Sequence, residues 1–95
     1  MDYNGINEFI DLRKRLHDAL NEASKDYPGK SYEGEMTLSI WFPGIYTSPD
    51  ETEEAIIEAH FYLIGPSRHY TWKGKTISEA VKKAAKDIDQ WISGG

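Results

Sequence analysis

His60, Tyr62, His69 and Glu58 bring together the side chains of this sequence best suited to chemistry. Two imidazoles and a carboxylate could hold a divalent metal or work as a general acid–base pair. Either role requires the groups to converge and to be shielded from bulk water. A strand pairing worked from the sequence sets His69 opposite Tyr62 and leaves the two imidazoles as diagonal neighbours, roughly 7 Å apart between backbones. Nothing in the sequence encloses them, so they read as surface histidines. His17 falls off the apolar stripe of its helix and receives no role. The serines stand in no nucleophile-elbow setting. Gly65-Pro66-Ser67 and Lys73-Gly74-Lys75 lack the glycine spacing of a phosphate loop. The carboxylates Asp50, Glu51, Glu53 and Glu54 lack the Asn and Gly of a calcium loop. There is no cysteine, hence no disulfide, thiolate zinc site or thiol nucleophile. We assign no catalytic residue, no metal ligand and no cofactor, and expect a protein that is not an enzyme.

The segments that must position these residues read as α-β-β-β-α. Ile6, Phe9, Leu12, Leu16, Ala19, Leu20, Ala23 and Tyr27 recur at three- and four-residue steps, so a helix is expected from residue 4 to about 26, capped by Asn4 or Asn7 and stopped by Pro28-Gly29. Over 34–42, Met36, Leu38, Ile40 and Phe42 alternate with Glu35, Thr37, Ser39 and Trp41, the period of a strand with one buried face. A second strand is expected over 55–64, with Ala55, Ile57, Ala59, Phe61 and Leu63 inward. Gly65-Pro66 turns the chain into a third strand, Ser67–Trp72. The expected register pairs Phe61 with Tyr70, Ala59 with Trp72 and Glu58 with Lys73, which gathers the aromatics on one face and matches opposite charges. Thr76-Ile77-Ser78-Glu79 has the pattern of a capping box and opens a final helix to about Ile92, with 93–95 frayed. Its expected buried stripe is Ile77, Ala80, Val81, Ala84, Ile88, Trp91 and Ile92.

Ninety-five residues make one domain, 1–95, a two-layer α+β sandwich in which both helices cover one face of a three-stranded antiparallel meander. The other face is left bare and displays Thr37, Ser39, Trp41, Glu58, His60, Tyr62, His69 and Thr71.

Charge is distributed unevenly. Residues 30–64 carry seven acids and one lysine, and residues 65–95 carry six bases and three acids, within an overall net charge of −5. Absence of a basic-then-apolar N-terminal segment, of long apolar runs and of cysteine leads us to expect a soluble cytoplasmic protein.

The element order resembles that of the double-stranded-RNA-binding domain, and Lys82-Lys83-Ala84-Ala85-Lys86 is similar to that family's lysine-rich second-helix motif. The resemblance implies a nucleic-acid surface made of Arg68, Lys73, Lys75, Lys82, Lys83 and Lys86. The sequence departs from the pattern in two ways. Thr76–Val81 precede lysines that open the helix in that family, and the first hairpin loop is acidic where it would approach a minor groove. Net negative charge opposes phosphate binding as well. Gly74–Ala80 also looks like the opening of the final helix in antitoxins of the HicB type, whose fold begins with a strand, so no function is carried over from them.

The leading expectation is a protein-interaction domain that binds a protein partner or its own copy. The bare face (Trp41, His60, Tyr62, His69) and the acidic loop (Asp50, Glu51, Glu53, Glu54) are its candidate surfaces. Small size, acidity and lack of cysteine suit a phage or prophage accessory protein.

Overall fold

Five elements occur in the expected order: α1 (Ile6–Ser24), β1 (Glu33–Trp41), β2 (Glu54–Tyr62), β3 (Arg68–Gly74) and α2 (Ile77–Gly94). The computed structural model describes residues 4–25, 33–44, 52–62 and 68–94. The expected Pro28-Gly29 stop and the Gly65-Pro66 turn lie outside them. The strands form one antiparallel sheet in the order β1-β2-β3. α2 packs on β3 and β2, while α1 leans on α2 and touches β1 lightly. This is an α+β fold with helices against one face of the sheet. No helix among the described residues is long and apolar enough to cross a membrane.

The core follows from the two periodicities. α1 contributes Phe9, Leu12 and Leu16, the sheet contributes Met36, Ala55, Ile57, Ala59 and Trp72, and α2 contributes Ile77, Ala80, Val81, Ala84 and Ile88. Full burial of each Leu or Ile stabilises the fold by about 1.5–3 kcal/mol. The small residues Ala80 and Ala84 let α2 approach the sheet, where its last turns meet an aromatic cluster. Trp91 lies 4.4 Å from Tyr70 and 6.0 Å from Trp72, centroid to centroid. The Trp72 indole N–H donates to Asp87 Oδ2 at 2.8 Å, which satisfies the one polar atom of a buried ring.

The helix ends differ from expectation. α1 is capped by Gly5, not Asn4 or Asn7, because the chain enters at φ 105°, a left-handed conformation that suits glycine. A side chain there would also meet Ser78 N and Ser78 Oγ at 2.8 Å. Ser78 Oγ donates to Asn4 O at 3.2 Å, so the start of α1 rests on the first turn of α2. Half of the expected capping box forms at α2. The Glu79 amide donates to Thr76 Oγ1 at 3.1 Å, but the Glu79 carboxylate accepts from the Lys75 amide at 3.2 Å and not from Thr76. α2 runs on through Gly94, past the expected end, with Ser93 Oγ donating to Asp89 O.

Three apolar side chains expected inside are outside. Ile6 and Ile92 are exposed at the outer ends of their helices, and Phe42 lies just past the end of β1, where no helix covers it.

The register of β2 with β3 is shifted by two residues from the expected one. Ala59 pairs with Tyr70, Ile57 with Trp72, and Ala55 with Gly74. Alternation is unchanged by a two-residue shift, so facing is as expected while every partner differs. The observed register sets each large aromatic beside a smaller residue. Tyr70 and Trp72 are thereby free to receive Trp91, and Gly74 comes under the first turn of α2, where a Cβ would lie 2.6 Å from Ala80 N. The expected pairing of Glu58 with Lys73 is given up for this packing, because one exposed charge pair contributes about 0–1 kcal/mol, less than burial of the aromatic rings.

Candidate interaction surface

The bare face is a grid set by pairing. Across the three strands run the rows Ser39–Ile56–Lys73, Thr37–Glu58–Thr71 and Glu35–His60–His69, with Trp41 beside Glu54 at one end and Tyr62 beside position 33 at the other. His60 and His69 are directly opposed, not diagonal, because of the register shift. Their ring centroids stand 5.8 Å apart. His69 Nε2 lies 3.3 Å from Glu58 Oε2, with both side chains about half exposed. Among the described residues no group of three metal-binding side chains converges.

Trp41 is 39% exposed and Phe42 69%. Ile56, half-buried, is the diagonal neighbour of Trp41 across the β1–β2 pair, within reach of an indole. Trp41 and Ile56 make the apolar end of the face, and Phe42 follows directly in the chain. Tyr62 holds a position on the same face at its far end. Of the acidic loop, Glu54 opens β2 opposite Trp41, and Glu53 lines an open hollow of about 710 Å³ with Phe42, Pro43, Thr52 and Lys75. Asp50 and Glu51 lie outside the described residues.

The six bases do not share one surface. Lys73 stands on the bare face, whereas Lys82 and Lys86 are exposed on α2, which packs on the other side of the sheet. Lys83 is held by two partners: its Nζ donates to Lys73 O at 2.8 Å and lies 3.5 Å from Glu79 Oε1. Lys75 borders the hollow that holds Glu53, and Arg68 is exposed at the start of β3, paired with Phe61. Acidic and basic residues meet in that hollow and along α2.

One feature escaped the sequence reading. α1 stands off β1 and leaves a groove of about 420 Å³ lined by Ile10, Leu16, Leu20 and Met36, with Arg13 and Lys14 at its margin. Ile10 is 45% exposed there. Its position beside the apolar stripe of α1 was the available signal, but the width of the groove depends on how far α1 tilts towards α2.

No family model matches the chain, and no curated protein or solved structure is found to be similar to it.

Proposed function

We propose that this chain is a non-enzymatic interaction domain that docks the bare face of its sheet on a protein partner, with Trp41 as anchor. The observation that carries the reading is the apolar end of that face, where Trp41 is exposed diagonally across from Ile56 and is followed in the chain by the exposed Phe42. Each Å² of such surface left in water costs about 25 cal/mol, which a partner recovers on burying it. Indole rings are also the side chains that most often dominate an interface. Glu35, Glu54 and Glu58 share the face with Trp41, so the partner that fits offers an apolar pocket with a basic rim. A cytoplasmic phage or prophage accessory role agrees with the acidic, cysteine-free composition and belongs to the same proposal.

The test is a tagged pull-down from bacterial lysate, with and without nuclease, using the native chain and the Trp41→Ser/Phe42→Ser double variant. The native chain is expected to retain a specific protein that the variant loses, while circular dichroism shows both folded. Equal retention by the folded variant, or capture that disappears with nuclease, overturns the reading.

A further inference from the structure

We infer that β1 is a self-pairing edge: a second copy of this chain adds its own β1 antiparallel, joining two three-stranded sheets into one. The inference takes from the interaction reading only that the chain binds protein, and it uses a strand edge where that reading uses the bare face.

β1 is a terminal strand of the sheet, and no described strand pairs with its outer side. Every second residue of such an edge presents its backbone N–H and C=O outward, a template for another strand. Folded proteins commonly protect edges with lysine, proline or a bulge. The β3 edge is protected in this way, since Lys83 Nζ caps the Lys73 carbonyl at 2.8 Å. Among the described residues none does the same for β1: from Glu33 to Trp41 it has no lysine, arginine or proline, and it pairs with β2 without interruption. The groove under α1 opens beside this strand and leaves Ile10 half in water.

The pattern of β1 selects a second copy as the occupant. Thr37 is the midpoint of the strand. A two-fold axis through Thr37 overlaps the strands along their full length of about 30 Å. In that register Met36 meets Leu38 and Gly34 meets Ile40 on the helix side, so the position without a side chain faces a bulky one. On the bare side Glu35 meets Ser39, and Thr37 meets its own copy. No like charges are opposed. Parallel in-register pairing, or an axis through Glu35, would set the two Glu35 carboxylates against each other, which destabilises a strand pair.

Two substitutions on the bare side separate pairing from folding. Thr37→Lys places the introduced ammonium beside Glu58 within one chain but against its own copy across the axis. Ser39→Lys places it against Glu35 of the second copy, twice per dimer. Sedimentation equilibrium over a dilution series is expected to show a dimer. Thr37→Lys should weaken it roughly 2- to 5-fold and Ser39→Lys should tighten it roughly 2- to 30-fold, with thermal midpoints at or above native in dilute protein. A chain that stays monomeric up to about 1 mM, or a dimer that responds to neither substitution, overturns the inference. A monomer that still captures a foreign protein through Trp41 fails this inference alone. A β1 dimer that captures nothing fails only the interaction reading for the bare face.

Discussion

Replacing Gly74 by alanine should destabilise the protein, although it adds only one methyl group. The Cβ would stand 2.6 Å from Ala80 N, 2.9 Å from Glu79 Cβ and 3.0 Å from Thr76 O. All three atoms belong to the opening of α2, and two are backbone, so a rotamer change cannot relieve the clash. The first turn would have to lift away from β3, disturbing the Ala80 N to Thr76 O and Glu79 N to Thr76 Oγ1 bonds. Overpacking of this kind costs about 1–3 kcal/mol. The stiffer unfolded chain returns about 0.4–1 kcal/mol. Because two of the clashing atoms are backbone, the upper part of the overpacking range applies, about 2–3 kcal/mol. The net loss of about 1–2.6 kcal/mol corresponds to a fall in Tm of roughly 4–21 °C for a domain of this size. Gly44→Ala is the control, because a Cβ there meets nothing within 4 Å; its Tm should be unchanged or slightly raised. Thermal melts followed by circular dichroism measure both. If Gly74→Ala melts at or above the native temperature, close packing of strand on helix does not hold the β3 register, and the explanation given for the shift is wrong.

Trp72→Phe keeps an aromatic ring against Tyr70 and Trp91 but removes the N–H that donates to Asp87. A bond to a charged acceptor contributes about 1.5–3 kcal/mol, so the urea midpoint should fall accordingly. Asp87→Asn, which still offers a carbonyl oxygen, should lose about half as much; equal losses would mean that the hydrogen bond is not what is being measured. Arg15→Ala breaks the 2.7 Å pair with Asp89 that links α1 to α2, in which both side chains are half exposed. Its cost should be within about 1 kcal/mol at low salt and vanish near 1 M salt. A larger, salt-independent loss would assign Arg15 a packing role.

Element order and facing were legible from spacing, because they depend on periods of 3.6 and 2 that local sequence carries. Leu12, Ile57 and Ile88 are as deeply buried as their positions imply. Register was not legible. Alternation is blind to a shift of two residues, and the deciding contacts, Trp91 on Tyr70 and the first turn of α2 on Gly74, join segments whose approach no strand pattern contains. The same shift turned His60 and His69 from diagonal to direct neighbours. Phe42 was read as inward by parity, but a strand's parity holds only while the strand lasts, and β1 ends at Trp41. The bare face and the exposure of Trp41 could be read from sequence. The groove at Ile10 could not, since it depends on the tilt of α1 between α2 and β1. The lysines looked like a set because they are close in sequence, yet α2 and β3 send Lys82 and Lys73 to opposite sides of the sheet.

The contact between Gly5 and Ser78 has a consequence for how the protein is made. Synthesis delivers α1 first and the platform that supports it last, because Asn4 and Ser78 are 74 positions apart. Until α2 is complete, the three strands can pair but keep Ile57, Ala59 and Trp72 in water, and α1 has nothing to lean on beyond a light touch on β1. A nascent chain halted at Gly74 therefore carries an uncovered sheet face alongside an open β1 edge. That is the interval in which it is most prone to join another copy wrongly, and α2 closes it.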